Sequence, residues 1–242
     1  MDNVTAAKLM LSCLDLTSLH DGDTEATIKE FCKLADTPYG NPAALCVFSR
    51  FLPTAKKECS DIKMATVINF PQGDNNINIL EEEIPAAISR GADELDVVLP
   101  YRALLQGKID EVKSYLKCAR HLCGHKIMKL IIESGELVSI DKIIKATTLG
   151  IEAKVDFIKT STGKTKVSAT PEVANIILET IKASGKDVGF KASGGIKNFL
   201  DAKSYLVLAQ SIMGINWVKP EHFRLGASSL LADLLKTIEE GY

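Results

Sequence analysis

Eight short β-rich runs alternate with amphipathic helical runs along this 242-residue chain, and no other feature limits its fold as much. The strand-like runs lie near Cys13–Leu16, Ala44–Phe48, Lys63–Asn69, Glu94–Leu99, Ile127–Glu133, Phe157–Thr160, Val188–Ala192 and Phe223–Gly226. Helical patterns fill the gaps over Thr24–Ala35, Asn76–Arg90, Ile109–Leu122, Ser139–Leu149, Pro171–Ser184, Asn198–Gln210 and Ser228–Glu239. A shorter helix is expected over Pro53–Ser60, and another ahead of the first strand. Repeated β-then-α order demands parallel strands, because each crossover needs a helix. Eight such units take about 250 residues when closed into a barrel. We therefore expect an α/β fold: one (β/α)8 TIM barrel over residues 1–242, with an extra N-terminal helix. An open doubly wound sheet is disfavoured, since no GxGxxG follows the first strand.

Local signals support several helix ends. Thr170 and Pro171 read as an N-cap followed by proline at the first helical position. Asp23 and Glu25 place acids at the positive end of a helix dipole. Gly150 and Gly185 follow helical runs, where a left-handed glycine ends a helix.

Bulk properties remove whole classes of function. A formal net charge of −2 gives no electrostatic footprint for nucleic acid or an anionic membrane. No apolar run is long enough to span a bilayer, and the N-terminal stretch lacks the basic leader of a secretory signal. The six cysteines form no CxxC pair, which favours cytosolic thiols over disulfides and suggests a cytoplasmic protein. Four scattered histidines do not form a metal-ligand cluster, so no metal site is expected.

Charges appear where a buried barrel strand should be apolar. Asp96 interrupts ELDVVLP, Lys129 and Glu133 interrupt IMKLIIES, and Lys159 and Lys191 lie in FIKTSTGK and GFKASGG. Period-two alternation puts Lys129 and Glu133 on one face. Strand C-termini line the mouth of such a barrel, where these groups would converge. Lys129 reads first as a structural ion-pair partner of Asp96 or Glu133. For Lys159 and Lys191 a chemical role is favoured. Repulsion between two amines, added to desolvation, leaves one of them neutral and able to attack a carbonyl.

The loops after the last two strands carry Ser193-Gly194-Gly195 and Gly226-Ala227-Ser228-Ser229. Phosphate sites in barrels are often built there from free N–H groups and hydroxyls. Gly163 and Lys164, after the sixth strand, add a cation to the same rim.

These segments, with LDLTSL at Leu14–Leu19, GNPAALCV at Gly40–Val47, ATVINFPQG at Ala65–Gly73 and GADELDVVLPYRAL at Gly91–Leu104, resemble the deoxyribose-phosphate aldolases along nearly the whole chain. The resemblance implies a Schiff base on Lys159, a second catalytic lysine at Lys191 and a proton-relay aspartate at Asp96. It implies phosphate contacts from Gly163, Lys164, Gly194, Gly195, Ser228 and Ser229. The implied reaction converts 2-deoxy-D-ribose 5-phosphate reversibly to acetaldehyde and D-glyceraldehyde 3-phosphate, with no metal or organic cofactor. The small-molecule sugar phosphate is the implied partner, and a homodimer is common in the family. Tyr242, by the same resemblance, could reach the mouth, although a frayed terminus explains it equally well. Cys46 is expected to pack near the pocket without chemical work. Two other functions stay open: another Schiff-base aldolase acting on a keto sugar phosphate, and a sugar-phosphate-binding barrel without catalysis.

Overall fold

A computed structural model describes residues 1–241, and Tyr242 lies outside the described residues. Eight parallel strands close into a barrel in sequence order. They are β1 (Leu14–Ser18), β2 (Ala44–Val47), β3 (Lys63–Ile68), β4 (Glu94–Val98), β5 (Ile127–Ile131), β6 (Phe157–Lys159), β7 (Gly189–Ser193) and β8 (Phe223–Ala227). Pairing of Leu14 with Leu225 and of Asp15 with Gly226 completes the ring between β1 and β8.

Helices α1 (Asn3–Ser12), α2 (Glu25–Lys33), α3 (Leu52–Glu58) and α4 (Ile77–Ser89) cover the first half. The second half carries α5 (Tyr101–Leu105), α6 (Ile109–Cys123), α7 (Ser134–Leu137), α8 (Ile140–Glu152), α9 (Pro171–Ser184), α10 (Phe199–Met213) and α11 (Leu230–Glu240). The extra helix α1 packs against α11 and α10. Caps set several of these starts: Thr24 and Thr27 form a reciprocal capping box on α2, and the Thr170 hydroxyl accepts from the Val173 N–H ahead of α9.

Each strand is buried on both faces, but the two faces differ in chemistry. Leu14, Leu16, Leu45, Val47, Met64, Leu95 and Leu130 point outward into one continuous apolar layer shared with the helices. The inward positions alternate with them and carry most of the buried charge. Hydrophobic burial between sheet and helices thus holds the barrel together. Its interior is left to other work.

Three sequence expectations need correction. Gly150 does not end a helix. It lies inside α8, where a Cβ would stand 2.6 Å from Ile158 Cδ1 and 2.8 Å from Leu130 Cδ2, so its bare Cα permits close helix–sheet packing. Gly185 does cap α9, at φ +63°. The last helix begins at Leu230, two residues later than expected, with no side-chain cap from Ser229. The short helices α5 and α7 were not anticipated, because four or five residues show too little periodicity to register.

Candidate active site

Asp96 stands at the centre of the barrel, wholly buried in β4. Its Oδ1 accepts from Lys129 Nζ at 2.8 Å. Its Oδ2 accepts from Lys159 Nζ at 2.7 Å and from Lys191 Nζ at 2.8 Å. Strand register brings the donors together: Asp96 lies beside Lys129 across β4 and β5, and Lys159 beside Lys191 across β6 and β7.

A second tier lies toward the N-terminal ends of the strands. Asp15 in β1 bonds Lys191, Arg224 and, at 3.2 Å, Lys129. Glu94 in β4 bonds Lys129 and lies 3.0 Å from Arg224 Nη2. The Arg224 guanidinium also stands 5.5 Å from the Phe157 ring centroid. These seven charged residues are at most 2% exposed.

This environment makes the lysines unequal. Burial pushes Lys159 below the usual lysine range, and the Lys191 charge pushes it further, against the pull of Asp96. Burial also opposes the charge on Lys191, but Asp15 and Asp96 outweigh it and hold that lysine above the usual range. Lys129 is held higher still by Asp15, Asp96 and Glu94. Burial works against ionised Asp96 too, yet the three lysines keep it well below the ordinary carboxylate range. One amine is thus biased toward its neutral, nucleophilic form beside a fixed ammonium and a fixed carboxylate.

The opposite wall of the interior is apolar. Leu19, Ala44, Cys46, Ala65 and Val67 form a small cluster there, flanked by Phe48 and Phe70. Burial raises the Cys46 thiol above its usual range and so keeps it protonated.

Above the charges, the expected phosphate residues meet in one cavity of about 330 Å³. Gly163, Lys164, Gly194, Gly195, Ser228 and Ser229 all line it. Gly163, Gly194 and Gly195 have φ of +77°, +84° and +81°, which aims their peptides in ways that L side chains rarely allow. A Cβ on Gly194 would meet Ser168 Oγ at 2.6 Å. Lys164 Nζ donates to the Leu19 carbonyl at 2.7 Å, tying this rim to the end of β1. Helix α11 starts directly after Ser228 and Ser229 with no side-chain cap on its first N–H groups.

A model of the DeoC/LacD family aldolases matches residues 9–236. The chain belongs to that family. Its barrel is similar to a "putative deoxyribose-phosphate aldolase" of Toxoplasma gondii ME49, at 22% identity over 99% of this chain and 96% of that one, with a TM-score of 0.88. A protein so described from Coccidioides immitis is 26% identical over 96% of this chain and 86% of that one, with a TM-score of 0.85. An aldolase called QR15 is 29% identical over 94% and 96%, with a TM-score of 0.80.

Within this family aldolase, the structure places Lys159, Lys191, Asp96 and Lys129 in one cluster. It separates Glu133, which the alternation rule had put on the Lys129 face. Strand β5 ends at Ile131, and Glu133 turns into the left-handed region at φ +49°. Its carboxylate accepts from the Thr162 hydroxyl and, at 3.3 Å, from the Thr162 N–H. It therefore clamps the loop after β6 and contributes nothing to the lysine cluster. Asp15, Glu94 and Arg224 were missed. Asp15 and Arg224 stand between apolar neighbours, the same signal that identified Asp96, and Glu94 opens the strand two residues before Asp96, on the same face.

Among the described residues, no group of three or more His, Cys, Asp or Glu is arranged to hold a metal ion. Nor is any helix long and apolar enough to cross a membrane.

Proposed function

We propose that this family aldolase is a class I deoxyribose-phosphate aldolase, working in the cytoplasm, with Lys159 as its Schiff-base nucleophile. The observation that carries this reading is the buried, pKa-depressed Lys159 amine, 2.7 Å from Asp96, beside an ammonium on Lys191. In the cleavage direction neutral Lys159 attacks the C1 aldehyde of open-chain 2-deoxy-D-ribose 5-phosphate, and loss of water leaves an iminium. Asp96 takes the proton of the C3 hydroxyl, directly or through water, as the C2–C3 bond breaks. The electron pair passes into the iminium to form an enamine, and D-glyceraldehyde 3-phosphate leaves. Protonation and hydrolysis of the enamine then release acetaldehyde and restore the amine. Lys191 stays protonated, depresses the Lys159 pKa and shuttles protons. The phosphate sits in the cavity lined by Gly194, Gly195, Ser228 and Ser229 and supplies remote binding energy that aligns the reacting carbons.

Borohydride reduction in the presence of acetaldehyde, followed by peptide mass mapping, tests this. A two-carbon adduct is expected on the peptide containing Lys159, and none in Lys159→Leu. An adduct on Lys191 would exchange the two roles. No adduct, with controls reacting, would point to another donor or to binding without chemistry.

A further inference from the structure

Counting the charges inside the barrel leads to a residue with no place in the mechanism above. Three carboxylates, Asp15, Glu94 and Asp96, face four cations, Lys129, Lys159, Lys191 and Arg224. Glu133, also buried, bonds Thr162 and Thr165 and none of these cations. With every group ionised, the buried cluster would hold one positive charge too many, and an uncompensated buried charge is costly. One cation must release a proton. Arginine cannot do so in a protein. Lys129 contacts all three carboxylates and Lys191 contacts two. Lys159 contacts only Asp96.

We propose that Arg224 is a positioning residue: its permanent charge, locked onto Asp15 and Glu94, makes the barrel interior one cation too rich and so keeps Lys159 the neutral amine. The proposal rests on the Schiff-base role of Lys159. Arg224 sits far down β8, where its side chain reaches the lower end of the barrel alongside Phe157, and its Nε donates to the Pro220 carbonyl. It acts through the network and does not touch the mouth.

Charges from six of the eight strands enter this balance. Asp15 comes from β1, Glu94 and Asp96 from β4, and Lys129, Lys159 and Lys191 from β5, β6 and β7. Strand β2 contributes the protonated Cys46 thiol, and β3 only Ala65 and Val67. The groups near Arg224 at the lower mouth, Lys63, Asp156, Asp187, Glu221 and His222, are partly or fully exposed, so water screens them.

The test is the pH dependence of cyanoborohydride trapping of acetaldehyde on Lys159, in the full-length protein and three variants. Arg224→Met removes the surplus cation. Its acid limb should move to higher pH, with labelling at pH 7 slowed at least about tenfold and recovered at alkaline pH, as a pKa rise of about one unit gives. Glu94→Gln removes an anion and should move the limb the opposite way. The double variant Arg224→Met/Glu94→Gln restores the surplus and should return the limb to its wild-type position. General structural damage would not produce shifts of opposite sign that cancel. Limbs that stay in place, or that move the same way in both single variants, overturn the proposal. If Arg224→Met fails to fold, the other two variants still decide: an acid-shifted Glu94→Gln with an unshifted double variant supports it, and any other pattern overturns it. Absence of a wild-type adduct would instead sink the Schiff-base reading with acetaldehyde as donor, and this proposal with it, whereas an adduct with unshifted limbs sinks this proposal alone.

Discussion

The interior of the barrel and its rim are both polar, but they hold polarity in opposite ways. Inside, every charged group is paired with another, and all seven side chains are buried. At the rim, three glycines in the left-handed region, two serines and an uncapped helix start surround an open cavity. A paired interior gains nothing further from a charged ligand. What it offers is a proton balance: fixed ammonium, fixed carboxylate and one amine ready to react. The rim offers unsatisfied donors that an anion can fill. On the proposed function, reaction belongs to the buried cluster and recognition to the rim cavity, each built to a different electrostatic rule.

The two ends of the Lys159–Asp96 contact test the interior rule most severely. Asp96→Leu leaves three buried lysines without their common partner, and breaking a buried ion pair in this way costs about 3–5 kcal/mol. Lys159→Met, at the other end of the same 2.7 Å bond, removes the amine that resists being charged and should cost about 1 kcal/mol or less, the worth of one hydrogen bond. Both variants should be inactive, so urea unfolding is the measurement that separates them. Equal destabilisation would mean that Lys159 is a charged structural partner like Lys129.

A smaller effect follows from acid. Asp96 and Asp15 are both held below the ordinary carboxylate range by buried cations. For a lowered carboxylate, the stabilisation is fully present above the unfolded pKa of about 3.9 and is lost as pH falls through the folded pKa. The fold should therefore hold its stability down to about pH 4 and lose it steeply below. Lys159→Met should leave that acid limb in place, since both carboxylates keep their other cations. Denaturant midpoints across pH 2–7 would check this. A midpoint that began to fall well above pH 4 would show that other groups dominate acid unfolding.

Much of this was legible in the sequence because a barrel strand has only two faces. A charge inside an apolar run must point inward, and that argument found Asp96, Lys129, Lys159 and Lys191. It applies equally to Asp15, Glu94 and Arg224, which lie nearer the start of their strands, away from the mouth. Glu133 was misplaced because alternation was carried past the end of β5 into a residue at φ +49°, and no residue pattern announces that turn. All eight strands were found, with boundaries off by one or two residues. Gly150 misled for a different reason: a glycine needed for close packing and a glycine ending a helix look alike until the neighbouring Ile158 and Leu130 side chains are seen.

The rim should respond most gently. Ser229 carries no strong internal bond, its Oγ lying 3.4 Å from the Lys197 carbonyl, so replacing it disturbs little in the free protein. Ser229→Ala should then cost only what one hydroxyl gives a bound phosphate, about 0.5–1.5 kcal/mol, or roughly two- to tenfold in kcat/KM for the phosphorylated sugar. Plain 2-deoxyribose, lacking the anion, should lose almost nothing, because the interior that carries the proposed chemistry is untouched. The ratio of the two losses is the quantity to measure. A ratio near one would mean that the rim and the interior are not separate tiers, and that Ser229 acts on the reacting end of the substrate through the end of β8, where the Cβ position of Gly226 lies 2.9 Å from Lys191 Cε.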